Sequence, residues 1–182
     1  MNDFPTKLLW VDLEMTGLDI EQDVILEIAA EITDFGFKPI ASYETRIRQD
    51  KQYVSNRLHT QPWWNDFPEN RDAFIESAED GKPLEIVEQE LNALVREHFG
   101  DEQAILAGNS IHNDRNFIKR YWPEFNSLLH YRMLDVTSFK ILMQGKYGVE
   151  FEKRKVHRAF DDIHESIDEL KAYLADLSNR PQ

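Results

Sequence analysis

No cysteine occurs anywhere in the 182 residues. That excludes a disulfide framework and any thiolate metal centre, so a metal held by this chain would have to sit on oxygen and imidazole. Long apolar runs are missing too. No window approaches the roughly 20 residues of a membrane span, and the opening MNDFPTK is polar, with nothing fit for a signal peptide. The expected setting is cytoplasmic and away from membranes. Positive charge is scarce: 21 Lys and Arg stand against 34 Asp and Glu, a net charge of −13. Binding long nucleic acid relies on neutralising many phosphates with a basic patch, and only KRKVHR gathers such charge here. The acidity argues against a binder of long duplex DNA. It leaves room for a very short substrate held by metals and a few local contacts, with most of the charge serving as solvated surface.

What is present suits a folded globule. A hydrophobic content of 41% and an aromatic content of 12% are enough for one well-filled core, and the length points to a single domain over residues 1–182. KLLWVDLEM reads as a buried strand ending in the turn signal Thr16-Gly17. The stretch from Val24 to Arg48 reads as two strands joined by a turn at Asp34, Phe35 and Gly36, because β-branched residues and the Gly-Phe-Lys-Pro breaker favour a hairpin. Residues 50 to 82 show the least regular pattern. From Pro83 to Gly100 an amphipathic helix is well marked, with Leu84, Val87, Leu91, Leu94 and Val95 on one stripe. AILAG then reads as a second buried strand, followed by a helix containing Asp114, Phe117 and Ile118. YRMLDV is a further strand, with a helix from about Thr137. The last helix is expected to turn Ile163, Ile167, Leu170, Tyr173 and Leu174 inward. The order βββ-α-β-α-β-α-α predicts an α/β fold with a mixed sheet.

Chemistry concentrates at a few acids. Asp12 and Glu14 are two apart on a strand and so project from one face. Such a pair is either a solvated strand end or a metal site. Asp114 falls near the first turn of a helix, where it is either a ligand or a residue that favours the helix dipole. Asp135 has a similar setting and reads as a helix-start residue. His157 and Asp162 are five apart, about 500° on a continuous helix. They converge only if His157 stands on the loop before the helix and Asp162 in its first turns; Asp161 is the rival acid. Four carboxylates without a basic partner repel one another unless a cation lies between them. Two divalent ions are the simplest such cation, and oxygen ligands fit Mg²⁺ or Mn²⁺ better than Zn²⁺. A histidine beside them would serve as a general base. His59, His98, His112, His130 and His164 have no comparable partners, and surface or core roles suffice for them.

These residues resemble a known pattern. Asp12-x-Glu14, Asp114 and the His157-x4-Asp162 ending match the DEDDh group of 3′-to-5′ exonucleases, and WVDLEMTGLD, LAGNSIHNDRNFI, HYRMLDV and HRAFDDIHESI are similar to the oligoribonuclease family, in the family's order over nearly the whole chain. The sister group carries a tyrosine four residues before the last aspartate, where this chain has Arg158. The resemblance implies a ribonuclease H-like mixed β-sheet flanked by helices, forming one exonuclease domain. It implies two Mg²⁺ or Mn²⁺ ions on Asp12, Glu14, Asp114 and Asp162, with His157 catalytic. It also implies short RNA, chiefly diribonucleotides, as substrate and a homodimer as the working form. Further roles follow where positions match. Leu18 would wedge against the bases. Ser110, Arg132 and Thr137 would cap the 5′ phosphate, Tyr131 would come from the partner subunit, and Trp64 (or Trp63) would pack on a base. Ordinary core or dimer packing is the alternative for Leu18, Trp64 and Tyr131. Residues 55 to 82 depart from the family pattern, and the histidine that normally follows the tryptophan has no counterpart. The rival activities are a proofreading-type exonuclease on single-stranded DNA or longer RNA, and a silent dinucleotide-binding protein.

Overall fold

The computed structural model describes residues 5–151 and 158–180. A hairpin-rich start builds half of one sheet: β1 (Lys7–Met15), β2 (Ile25–Asp34) and β3 (Pro39–Arg46) run antiparallel in succession. β4 (Ala104–Gly108) then joins the other edge of β1 in parallel, and β5 (Leu129–Asp135) joins β4 in parallel. The strand order is therefore β3-β2-β1-β4-β5. Placing β1 at the centre follows from its composition, since KLLWV can be covered by apolar neighbours on both sides.

Side-chain alternation along β1 divides the core in two. Leu9, Val11 and Leu13 face α3 (Leu84–Phe99) and α4 (His112–Tyr121), packing with Val87, Leu91, Phe117 and Ile118. Leu8 and Trp10 face the opposite way, against Ile163, Ile167 and Leu170 of α7 (Ala159–Ser178). Asp12 and Glu14 continue this second face by the two-residue period of a strand. They thus emerge on the side of α7, at the end of the central strand.

The hairpin expected after Val24 forms, with one local difference. Asp34 Oδ1 accepts from the Lys38 amide at 2.9 Å, and the residue in left-handed backbone is Phe37 (φ 60°), not Gly36. Its ring packs edge-on against Trp10, 6.1 Å between centroids, and that contact helps hold it there.

Residues 50 to 82 are more regular than their sequence suggests. They form α1 (Lys51–Thr60), a short 3₁₀ turn (Pro62–Asp66) and α2 (Pro68–Glu76). Asp50 caps α1 by accepting from the Tyr53 amide at 2.7 Å, and Pro62 and Pro68 each open the piece that follows. The pieces are too short to show a helical period. Each buries only one or two residues, which meet in a satellite core of Leu26, Val54, Leu58, Trp64 and Phe74. The helix over 84–99 forms as its stripe predicts and stops at Gly100, whose φ of 62° suits glycine. After α5 (Pro123–Ser127) and β5 comes α6 (Val136–Tyr147), capped by Asp135, which accepts from the Thr137 amide at 2.9 Å. Leu174 corrects an expectation: the inward stripe of α7 runs through Ile163, Ile167, Leu170 and Tyr173, and Leu174 lies on its flank, 38% exposed. Among the described residues no helix is long and apolar enough to cross a membrane.

Candidate active site

Three carboxylates from two distant elements converge. Asp12, Glu14 and Asp162 each offer an oxygen, and these oxygens all lie within 4.8 Å of one another. β1 supplies the first two and the first turn of α7 supplies the third. Asp162 is half-buried, whereas its rival Asp161 is exposed and outside this group. Asp114 arrives from the other side of the strand. It lies in the first turn of α4, is almost wholly buried, and accepts from the Leu13 amide through Oδ1 at 3.0 Å. It falls outside the tight three-member group, although its charge acts on Glu14.

The electrostatics explain what such a cluster requires. Burial pushes the Glu14 carboxyl up to about 8, and the negative charges of Asp162, Glu27 and Asp114 add to the rise against the lowering effect of Arg158. Burial also raises Asp114, with its amide hydrogen bonds opposing. Carboxylates in this state cannot all be ionised near neutrality unless a cation compensates them. The donor set therefore fits divalent metal: hard oxygen ligands, buried at Glu14 and Asp114 and half-buried at Asp12 and Asp162.

A cleft of about 370 Å³ opens beside the acids, lined by Leu13 to Leu18 together with Gln61, Trp63 and Trp64. That is the size of a small-ligand pocket. Leu18, the expected wedge, stands 65% exposed at its rim. The tryptophans divide their roles. Trp64 is only 2% exposed, packs edge-on against Phe74, and donates its indole N–H to the Thr16 carbonyl at 3.3 Å. Trp63 is 46% exposed, so the more exposed ring belongs to the neighbour of the residue expected to stack.

Ser110 and Thr137 are brought together at the ends of β4 and β5. The Ser110 amide donates to Thr137 Oγ1 at 2.9 Å and to Asp135 Oδ1 at 3.0 Å, and the two hydroxyls lie 3.1 Å apart. Ser110 holds left-handed backbone, φ 50°, which non-glycine residues seldom adopt outside constrained sites. Arg132 and Tyr131 are exposed on β5, the guanidinium 5.2 Å from the ring centroid. His157 lies outside the described residues.

Sequence reading missed the buried partners around the acids. Glu27 pairs with Glu14 in the β1–β2 register and is 1% exposed. It accepts from Arg158 at 3.1 and 2.9 Å and lies 3.6 Å from Arg46. The carboxylates therefore do have a guanidinium nearby, contrary to expectation, though Glu27 already engages it. Arg158 sits at the start of α7, where Glu27 also meets the Ala159 amide at 3.4 Å. No local spacing announces a pair 131 residues apart.

A family model described as exonuclease matches residues 9–170. An oligoribonuclease of Francisella tularensis subsp. holarctica (strain OSU18) is 40% identical over 173 residues, covering 93% of this chain and 95% of the relative. A protein named probable oligoribonuclease, from Dictyostelium discoideum, is 37% identical over 176 residues, covering 95% and 91%. Among solved structures, exonuclease I from E. coli, in complex with a 5cy-dA13 oligonucleotide, superposes with a TM-score of 0.60 at 13% identity. Exonuclease I from Methylocaldum szegediense gives 0.61 at 15%. Those alignments cover 95% and 96% of this chain but only 41% of either larger protein, and they show the fold alone. The mixed sheet with its flanking helices is thus a ribonuclease H-like exonuclease fold, and the chain belongs to the oligoribonuclease family of exonucleases.

Proposed function

We propose that this chain is a 3′-to-5′ exoribonuclease that hydrolyses very short RNA, chiefly diribonucleotides, to 5′-mononucleotides. The observation that carries the proposal is the convergence of Asp12, Glu14 and Asp162, with Asp114 beside them, where Glu14 also lines a cleft the size of a small ligand. The names of its relatives support the same reading.

In this reading Asp12, Glu14, Asp114 and Asp162 hold two Mg²⁺ or Mn²⁺ ions. When bound, such ions polarise the scissile phosphate and neutralise the charge that develops during displacement. The remaining work falls to the chain. His157 takes a proton from the attacking water as general base. It is bonded in sequence to Arg158, whose guanidinium donates to Glu27. Leu18 and the exposed face of Trp63, with the buried edge of Trp64 behind it, confine the bases by apolar contact. Ser110 and Thr137 present hydroxyls and Arg132 a cation toward a terminal phosphate, which would restrict length. Tyr131, 71% exposed, and the exposed Ile141 and Leu142 of α6 are side chains that a second copy would cover, in line with a homodimer.

The test is a time course with Mn²⁺ and 5′-labelled RNA of two, three, five and seven residues. The dinucleotide is expected to go fastest, with a steep loss of rate beyond it. Equal rates at all lengths would instead support an exonuclease that trims longer strands.

A further inference from the structure

We propose that the ion pair between buried Asp23 and half-buried Arg57 is a positioning device for Leu18, through which helix α1 sets the grip of the cleft on its substrate. This deepens the exoribonuclease reading and rests on it.

Leu18 is an exposed apolar side chain on the loop between β1 and β2. It can confine a base only if that loop is held still, because an ordering cost met at binding would weaken the contact. One buried carboxylate joins both ends of the loop, beside the Tyr121 hydroxyl that donates to the Asp23 carbonyl at 2.8 Å and the Arg120–Glu21 ion pair at 2.8 Å. Asp23 is fully buried, and its Oδ1 accepts from the Thr16 hydroxyl at 2.8 Å, at the near end of the loop. Its Oδ2 accepts from the Asp19 amide at 2.9 Å, immediately after Leu18. The two ends of the loop also meet directly, through Thr16 N to the Val24 carbonyl and Val24 N to the Thr16 hydroxyl, both at 3.0 Å.

The carboxylate is anchored to α1. Arg57 donates to Asp23 Oδ1 from Nε at 3.0 Å and from its terminal nitrogen at 2.9 Å, and reaches Gln22 Oε1 at 3.3 Å. Tyr53, one turn earlier, donates its hydroxyl to the Gln22 carbonyl. The fit is close. A Cβ on Gly17 would fall 2.5 Å from Asp23 Oδ2 and 2.8 Å from Gln61 Nε2, so a side chain there would displace the carboxylate from its place in the network. A charge-assisted network centred on a buried carboxylate is rigid while complete and loosens when one member is removed. The part of the chain that departs from the family pattern supplies Arg57, Gln61 and Trp64, all of which touch this loop or its start.

The experiment is kinetic, with the full chain, Mn²⁺ and a diribonucleotide. Arg57→Ala is expected to raise KM about tenfold with kcat within about twofold of wild type, the pattern of lost uniform binding. Arg57→Lys, which keeps a cation at Asp23, is expected to recover most of the loss. In a Leu18→Ala background, Arg57→Ala is expected to change KM by less than about twofold, because the side chain it positions is gone. An unchanged KM in Arg57→Ala, or the same tenfold rise with and without Leu18, would overturn the proposal. Hydrogen exchange of the amides from Gly17 to Gln22 reads the tether without substrate and so stands apart from the activity. Arg57→Ala should speed their exchange, and an unchanged rate would refute the tether even if no RNA were cleaved.

Discussion

Glu14→Gln is expected to lower diribonucleotide turnover by at least about 10³-fold and, at the same time, to raise the melting temperature of the metal-free protein at pH 8. Both effects come from one carboxyl. Glu14 is 7% exposed and is pushed up to about 8, chiefly by burial and then by the charges of Asp162 and Glu27. Between its ordinary value of 4.5 and about 8 the folded protein binds more protons at this position than the unfolded chain does. Stability therefore falls as pH rises through that window, and the whole penalty is present above it. Glutamine keeps the shape and removes the charge, so the variant should lose part of this fall while losing a ligand. Melts in chelator at pH 6 and 8, beside kcat at saturating substrate, read both effects. A variant with wild-type kcat would remove Glu14 from the reaction. One that melts below wild type at pH 8 would contradict the repulsion assigned to the cluster. Residues that destabilise a fold while enabling its chemistry are a known trade-off.

His157→Ala is expected to lower kcat by about 10²- to 10⁴-fold at saturating Mn²⁺, the range for loss of a general base. Its pH profile should change as well. An imidazole must be neutral to accept a proton and titrates near neutrality, so the wild-type rate should climb from pH 5 to pH 8. The variant should lose the part of that climb that persists when metal saturates the carboxylates. Its residual rate should instead follow hydroxide or added imidazole. Unchanged rate and profile would assign the proton to another group.

How much of this was legible in the sequence depended on the range of the interactions. β1, β4 and α3 announce themselves because burial marks consecutive residues, as the continuous apolar run of KLLWV or as the Val87–Leu91–Val95 stripe. Strand alternation puts Asp12 and Glu14 on one face, as their spacing predicts, but that this face meets Asp162 of α7 is set by tertiary packing. The helices between Lys51 and Glu76 could not, because each buries too few residues to set a period and proline signals are shared with loops. Choosing between Trp63 and Trp64 was similarly out of reach. They are adjacent, and only the satellite core around Leu58 and Phe74 decides that Trp64 turns inward. Glu27–Arg158 and Asp23–Arg57 join residues 131 and 34 positions apart, and a lone acid in a strand or loop carries no mark of its partner.

The measurement that bears most directly on the carboxylate cluster as a cation site is the melting temperature with Mn²⁺ and with chelator, at pH 6 and pH 8, for the wild type and Asp12→Ala. A cation that binds only the folded state stabilises it by mass action, and it must displace protons from raised carboxyls to do so. Mn²⁺ should therefore raise the wild-type melting temperature at both pH values and more at pH 8, while Asp12→Ala loses most of the effect. An Mn²⁺ shift that is nil in the wild type at pH 8, or equal in Asp12→Ala, would contradict the assignment of these acids to metal.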